Sequence, residues 1–182
     1  MTNPTSIATR AGTTNAAEGT ERIYTLVALV EDRPGAIDRV VGALRRRRAK
    51  MQSLTISQCE TPNRVRIIAL VKDSEVVVEQ VIEQLRKIVD VRQVMNVTDQ
   101  QAVVRELALI TVDAKSASLR TLIEVGHQFG ASIADVTDDS VILESTGNVE
   151  QLERLIDALR VFGIREIARS GCVASVSTNE GK

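Results

Sequence analysis

Residues 32–38 read Asp-Arg-Pro-Gly-Ala-Ile-Asp and lie between an apolar, β-branched run over 23–30 and an amphipathic stretch that begins near Gly35. The run predicts a buried strand, and the periodic stretch predicts a helix over about 35–48. Pro34 suits the first turn of a helix, and Gly35 lets another molecule approach the backbone. A small carboxylate would suit the free N–H groups of such a turn, although a strand-to-helix turn without a ligand explains the same residues.

Outward from this turn, the chain alternates short strands and helices. Three more strands are predicted over 51–59, 65–71 and 89–97, with a second helix at about 74–87. The order β-α-β-β-α-β gives an antiparallel sheet with both helices on one face. The same order recurs over 103–174, where Asn148 caps a helix and Ser170-Gly171 is expected to break the last strand.

The repeat predicts an α+β protein of two tandem ferredoxin-like βαββαβ domains. The boundaries that follow are 1–21 for a disordered tail, 22–98 for the first domain, 99–175 for the second and 176–182 for a second tail. A domain this small buries only about 60% of its unfolded surface, so we expect sheet-to-sheet or subunit pairing. An exposed sheet face or edge would serve as the dimerisation surface.

Composition narrows the class of protein. The chain has 182 residues, a formal net charge of −1 and only 2% aromatic residues, which argues against nucleic acid as a partner. No apolar run approaches the roughly 20 residues of a membrane helix, and the N-terminus lacks the apolar core of a signal peptide. Cys59 and Cys172 are too few and too far apart for a disulfide framework. We therefore expect a cytoplasmic protein that binds neither nucleic acid nor membrane.

The sequence offers no catalytic residues. Its one histidine, His127, lies within a helical pattern, and a metal site would need several ligands near it. Asp138 and Asp139 suit a turn better than an acid–base pair, and the glycine-rich nucleotide and nucleophile motifs are missing. Arg33 could belong to the anion loop of a phosphatase of similar topology, but no second catalytic group accompanies it. We interpret the chain as non-enzymatic and without a metal site.

A basic run at 45–48, followed by Lys50, is the strongest charge feature. Cations at the C-terminal end of a helix are favourable, so a solvated helix end explains the run. An acidic protein partner or an RNA are the alternative interpretations.

Three segments of the first repeat, 29–37, 39–42 and 52–55, resemble an ACT domain. More narrowly, they resemble the regulatory small subunit of acetohydroxyacid synthase, also called acetolactate synthase. Residues 104–110, 133–137 and 168–171 are similar to the motifs of that family's C-terminal domain. The resemblance covers about 22–175, and the C-terminal motifs are its most specific part.

The resemblance implies a non-catalytic subunit that binds the thiamine-diphosphate-dependent catalytic subunit, raises its activity and makes it sensitive to branched-chain amino acids, commonly valine. It implies no cofactor in this chain, with thiamine diphosphate, Mg²⁺ and FAD on the catalytic subunit. It also implies a homodimer through the ACT domains, with the effector between the turn of one chain and the second strand of its neighbour.

By position, the resemblance gives an effector site centred on Asp32, Gly35 and Lys50. Backbone N–H groups around Gly35 would hold the effector carboxylate, and Asp32 would accept from its ammonium group. The full set of candidate effector-binding residues is Asp32, Arg33, Pro34, Gly35, Ala36, Ile37, Lys50 and Met51.

The chain departs from the family pattern within this site. Valine-responsive members usually have asparagine at the positions of Asp32 and Lys50, and their Arg-Gly-Tyr-Asn stretch is replaced here by Arg-Arg-Ala-Lys at 47–50. Lysine only donates hydrogen bonds, so Lys50 could pair with Asp32 across the interface or reach the effector carboxylate. Two other functions stay open, a free-standing amino-acid-sensing tandem ACT regulator and a small ferredoxin-like enzyme.

Overall fold

The computed structural model of the chain describes residues 20–46, 50–100, 102–115 and 118–176. The first repeat contains β1 (Arg22–Glu31), α1 (Ala36–Arg46), β2 (Lys50–Gln58), β3 (Arg64–Asp73), α2 (Glu75–Arg86) and β4 (Val91–Asn96). The second contains β5 (Ala102–Asp113), α3 (Leu119–Gln128), β6 (Ser132–Val136), β7 (Ser140–Gly147), α4 (Val149–Leu159), a 3₁₀ turn (Arg160–Phe162) and β8 (Ile164–Val176).

Each repeat forms a four-stranded antiparallel sheet. The strand orders are β2-β3-β1-β4 and β6-β7-β5-β8, so the first and last strands of each repeat are neighbours. This is the same topology twice, and it confirms the prediction of two tandem βαββαβ units. Among the described residues, no helix is long and apolar enough to cross a membrane.

The predicted tails lie mostly outside the described residues. Glu21 is described, and its carboxylate accepts from Lys50 Nζ at 2.6 Å. At the other end, β8 continues through Val176, one residue into the predicted second tail. The boundary between 98 and 99 stays a prediction, and it lies between the end of β4 at Asn96 and the start of β5 at Ala102.

Both helices of a repeat pack on one face of its sheet. In the first repeat, buried residues of α1 and α2 meet alternate residues of the strands, among them Val40, Leu44, Val78, Val81, Ile67 and Ala69. In the second repeat, α4 buries Leu152, Leu155, Ile156 and Leu159 against β5 and β7. The helix layers therefore follow from the apolar spacing of the helices and the alternation of the strands.

Helix α4 begins as predicted, and α3 buries a glycine while two of its larger apolar side chains stay partly exposed. The Asn148 side chain accepts from Gln151 N, and the Gln151 side chain accepts from Asn148 N, which completes a capping box. In α3, Leu122 is buried, but Leu119 and Ile123 are about two-fifths exposed. Gly126 replaces them in the core because Leu143 packs directly against its backbone.

The helix-free face of the first sheet is covered by the second repeat. Val27, Ile68 and Leu70 on this face are buried together with Val97 and Cys172, and Val104, Val149 and Ala174 pack against them. These contacts come from the ends of β5 and β8 that extend past their own helices, and from the start of α4. The expected sheet pairing therefore occurs inside one chain.

Strand β8 is continuous, so the expected break at Ser170-Gly171 is wrong. The pairing of β5 with β8 shifts register between Glu106 and Ala108, so Ser170 and Gly171 of β8 lie opposite the single residue Leu107. Gly171 adopts φ +75° there, a conformation that glycine accepts without the steric cost of a Cβ. The two residues form a β-bulge that bends the strand without ending it.

A second bulge changes the faces of β2. Its pairing with β3 shifts between Met51 and Ser53, so Gln52 is the extra residue. Because paired residues point to the same face, Met51 lies with Val71 on the helix side, whereas Ser53 lies with Leu70 on the opposite side. Regular alternation along β2 would put Met51 and Ser53 on one face, and the bulge separates them.

We predict that the Cys172 thiol makes the stability of the chain sensitive to alkaline pH. Burial, with the Glu106 carboxylate as a smaller cause, raises the pKa of this thiol from 9.0 to about 11. A raised pKa in the folded state stabilises below pH 9, and this contribution is lost as pH rises toward 11, by up to about 1.4 kcal/mol per pH unit.

Urea unfolding from pH 8 to 11 measures the effect. The free energy of unfolding of the unmodified chain should fall toward that of Cys172→Ala over this range. Cys59→Ala is the control and should show the same alkaline fall as the unmodified chain. Parallel curves for the unmodified chain and Cys172→Ala would contradict the prediction.

Candidate functional site

The turn between β1 and α1 forms an open hollow on the surface. It has a volume of about 480 Å³ and is lined by Asp32, Arg33, Pro34, Gly35, Ile37 and Asp38. Five of the eight candidate effector-binding residues thus lie together. Ala36 is fully buried beneath the hollow as the first residue of α1.

The start of α1 leaves backbone donors without backbone partners. Gly35 has φ +77°, and helix α1 starts directly after it. The N–H of Ala36 donates to the Arg33 carbonyl at 3.0 Å. Within the described part of the chain, the N–H groups of Gly35, Ile37 and Asp38 make no backbone hydrogen bond. Such N–H groups at a helix start attract an anion, and the helix dipole adds to the attraction.

An ion pair between Arg39 and Asp90, which no local sequence pattern indicates, lies beneath the turn. Arg39 donates to Oδ2 of Asp90 from Nε at 2.9 Å and from Nη2 at 2.6 Å. Asp90 is 2% exposed, and its carbonyl accepts from Glu31 N at 2.8 Å. A Cβ on Gly35 would lie 3.1 Å from Arg39 Nη1. The arginine therefore connects the turn with the loop before β4.

The hairpin between β2 and β3 braces the turn from the side. The N–H of Asp32 donates to the Asn63 carbonyl at 2.9 Å, and Asn63 adopts φ 59°. Asparagine is one of the residues that tolerate this conformation. Glu31, at the end of β1, pairs with both Arg33 and Arg92. The backbone of the turn is thus held in place while the side chains of Asp32 and Arg33 stay exposed.

Lys50 and Met51 do not line the hollow. Lys50 pairs with Lys72 on β3, which pairs with Ile23 near the start of β1, whereas Asp32 follows the end of β1. Nine residues of extended strand separate the two levels, which is about 30 Å. The candidate residues of one chain therefore form two groups at opposite ends of one sheet.

The remaining candidates form no second site. His127 is exposed on α3, and Asp138 and Asp139 are exposed in the β6–β7 turn, as their interpretation as turn residues predicts. Across the described ranges, no group of three or more histidine, cysteine or acidic side chains could hold a metal ion. Arg47 and Arg48 of the basic run lie outside the described residues.

Comparison with known proteins agrees with this architecture in both repeats. Residues 26–93 match a family model described as the AHAS small subunit-like ACT domain, and residues 105–176 match one described as the small subunit of acetolactate synthase. A relative from Archaeoglobus fulgidus is 40% identical over 157 residues, which is 86% of this chain and 98% of the relative. The acetolactate synthase small subunit of Mycobacterium bovis is 39% identical over 153 residues, covering 84% of this chain and 91% of that protein.

A solved structure shows the same arrangement. The acetolactate synthase small subunit of Thermotoga maritima superposes with a TM-score of 0.73 at 31% identity, and the match covers 87% of this chain and 99% of that one. The fold and the turn define an ACT-domain protein with a second domain of like topology. The chain belongs to the acetolactate synthase small subunit family.

We predict that Asp90→Asn destabilises the chain by about 1–3 kcal/mol, because the substitution removes the charge that accepts two hydrogen bonds from Arg39 in a buried position. Asp99→Asn is the matched control. Asp99 pairs with Arg22 at 2.7 Å at an exposed site, so its substitution should change stability little. Urea unfolding compares the two variants, and equal losses would show that the Arg39 pair does not brace the turn.

Proposed function

We propose that this chain is the regulatory subunit of an acetolactate synthase. It activates the thiamine-diphosphate-dependent catalytic subunit and confers feedback control by a branched-chain amino acid, with valine as the first candidate. The observation that carries the proposal is the similarity to acetolactate synthase small subunits across both domains, rather than across the ACT domain alone. A free-standing amino-acid sensor would need to resemble these small subunits only in its ACT domain.

The chain acts on the reaction through its partner. Its described polar clusters serve as structural ion pairs, such as Arg39 with Asp90 and Arg169 with Glu106. We assign thiamine diphosphate, Mg²⁺ and FAD to the catalytic subunit and no cofactor to this chain. The protein is accordingly expected in the cytoplasm with the synthase.

The effector site is shared between two chains of a homodimer. Asp32 and Lys50 of one chain lie about 30 Å apart along the sheet, so one small amino acid cannot contact both. A neighbouring chain in the opposite orientation would bring its Lys50 and Met51 toward the turn. The hollow at Asp32–Ile37 is open on its outer side, which leaves room for this second chain.

Each group in the turn has a role that its chemistry supports. The N–H groups of Gly35, Ile37 and Asp38 bind the effector carboxylate, and the Asp32 carboxylate accepts from its ammonium group. Ile37 is half-buried at the edge of the hollow and contacts the branched side chain. Lys50 donates to Glu21 within its own chain, so its reach toward the effector competes with this ion pair.

The first test is acetolactate formation by the same organism's catalytic subunit, measured with and without this chain over a valine titration. We expect stimulation by the chain, followed by inhibition as valine rises. Stimulation without inhibition would remove valine as effector but keep the activating role. A chain that neither stimulates nor co-purifies with the catalytic subunit would contradict the proposal and favour the free-standing sensor.

We predict that Lys50→Asn increases valine sensitivity, because the asparagine side chain both donates and accepts hydrogen bonds, whereas the lysine ammonium group only donates them. The valine concentration for half-inhibition should fall by about fivefold, at the lower end of typical coupling. Lys72→Asn is the control, since Lys72 is the strand partner of Lys50 on the same face. An unchanged response in Lys50→Asn would show that the lysine does not limit effector binding.

A further inference from the structure

We infer that the Gly171 bulge of β8, through its contact with Thr55 of β2, is the point at which the effector site communicates with the C-terminal domain. The inference rests on the proposed function, because it concerns how an effector bound at Lys50 and Met51 alters the domain that differs from a simple ACT protein. Four features carry it: the closeness of the contact, the position of Thr55 on β2, the attachment of the bulge to its own domain, and the cavity beside the contact.

At Gly171 the contact leaves no space for a side chain between β8 and β2. A Cβ added to Gly171 would lie 2.5 Å from Thr55 Oγ1, well inside any normal separation, and 3.8 Å from the Cβ atoms of Ser53 and Thr55. The hydroxyls of Ser53 and Thr55 are buried and have no hydrogen-bond partner within the described chain. The backbone of β8 thus touches β2 directly, and only glycine permits this distance.

Strand β2 connects this contact with the proposed effector residues. Lys50, Ser53 and Thr55 pair with Lys72, Leu70 and Ile68, so they share the face that the second repeat covers. Because Lys50 begins the strand, only Met51 and Gln52 separate it from Ser53, and Gln52 is the bulged residue. A change in the position of Lys50 or Met51 is therefore passed along one short strand to Thr55.

The bulge is firmly attached to its own domain. Ser170 Oγ accepts from the N–H of Leu107 on β5 at 3.0 Å. Arg169, the residue before it, donates to Glu106 from Nε at 3.1 Å and from Nη2 at 2.6 Å, and to Glu153 of α4 from Nη1 at 2.6 Å. The Glu106 side chain is almost completely buried. A displacement of the bulge therefore reaches both β5 and α4.

A cavity beside the contact gives these groups space for a second arrangement. It has a volume of about 190 Å³ and lies between the domains, with Ser53, Glu106, Glu153, Arg169 and Gly171 among its lining residues. Coupling between sites requires an element with two arrangements that both sites influence. The bulge is held by its own domain on one side and flanked by the cavity on the other, so a second arrangement has the space it needs.

The test uses the holoenzyme reconstituted from this chain and its catalytic subunit, with valine as the effector probe. Gly171→Ala should raise the valine concentration for half-inhibition by about tenfold, within the usual range of coupling. The dissociation constant for valine, measured by calorimetry on the small subunit alone, should stay within about twofold. Thr55→Ala combined with Gly171→Ala removes the clash and should restore inhibition.

Gly130→Ala is the matched control. Gly130 has φ +71°, close to the φ of Gly171, but nothing lies within 4 Å of its added Cβ. It therefore reports the backbone strain of a side chain at positive φ without the contact. Equal responses of Gly130→Ala and Gly171→Ala would overturn the inference, as would a valine dissociation constant that rises as much as the half-inhibition concentration.

Other outcomes are also decisive. If Gly171→Ala does not fold, Thr55→Ala alone loosens the contact, and full valine inhibition in that variant would overturn the inference. If valine inhibits the unmodified chain and equally inhibits Gly171→Ala, Thr55→Ala and the double variant, the inference fails while the proposed function stands. If the unmodified chain neither activates nor responds to valine, the proposed function fails and the inference fails with it.

Discussion

A four-stranded sheet with both helices on one side has a second face that must also be covered, and this constraint governs the whole chain. In the first repeat that face carries Val27, Ile68 and Leu70, and the second repeat covers it. The covering strands β5 and β8 extend beyond their own helices, so their ends place apolar residues against this face. Since each buried aliphatic side chain contributes roughly 1.5–3 kcal/mol, the two repeats stabilise each other and should unfold together.

The second repeat carries charge into this interface as well as apolar surface. Glu106 is buried where its strand leaves the helix layer, and a carboxylate in that position is tolerated only with partners. Arg169 supplies them, and the hydrogen bonds from its guanidinium to Glu106 raise the pKa of the arginine. The forked contact of Arg169 with Glu106 and Glu153 fixes the angle at which β8 meets α4 within the second repeat. The family-specific motif at 168–171 therefore coincides with the residues that orient the interface.

The sequence was sufficient for the element order, the two-domain architecture and the cap at Asn148, because each depends on local spacing and on residues close in the chain. It could not locate the bulges at Gln52 and Gly171, since one extra residue leaves the alternation of neighbours intact while changing the face of everything beyond it. The expected break in β8 treated Gly171 as the end of a strand, whereas this glycine bends the strand at a bulge. Asp90 was missed for another reason: its partner Arg39 is 51 residues away, and no local pattern joins them.

The turn itself was found from the sequence, because Pro34 and Gly35 are signals that act within a few residues. Its supports were not, since Asn63 and Asp90 come from loops distant in the chain. Which residues contact a ligand stays a prediction for the same reason, as the second half of the proposed site belongs to another molecule.

The distance between Asp32 and Lys50 along one sheet has a consequence for how the effector proposed above would be sensed. A molecule held by both residues is a crosslinker of two chains, so it is bound only by the paired form. Its apparent affinity then varies with the concentration of the protein, and saturating ligand opposes dissociation of the pair. A mixed pair, in which one chain lacks a working turn and the other lacks a working β2 start, would keep one complete site of the two.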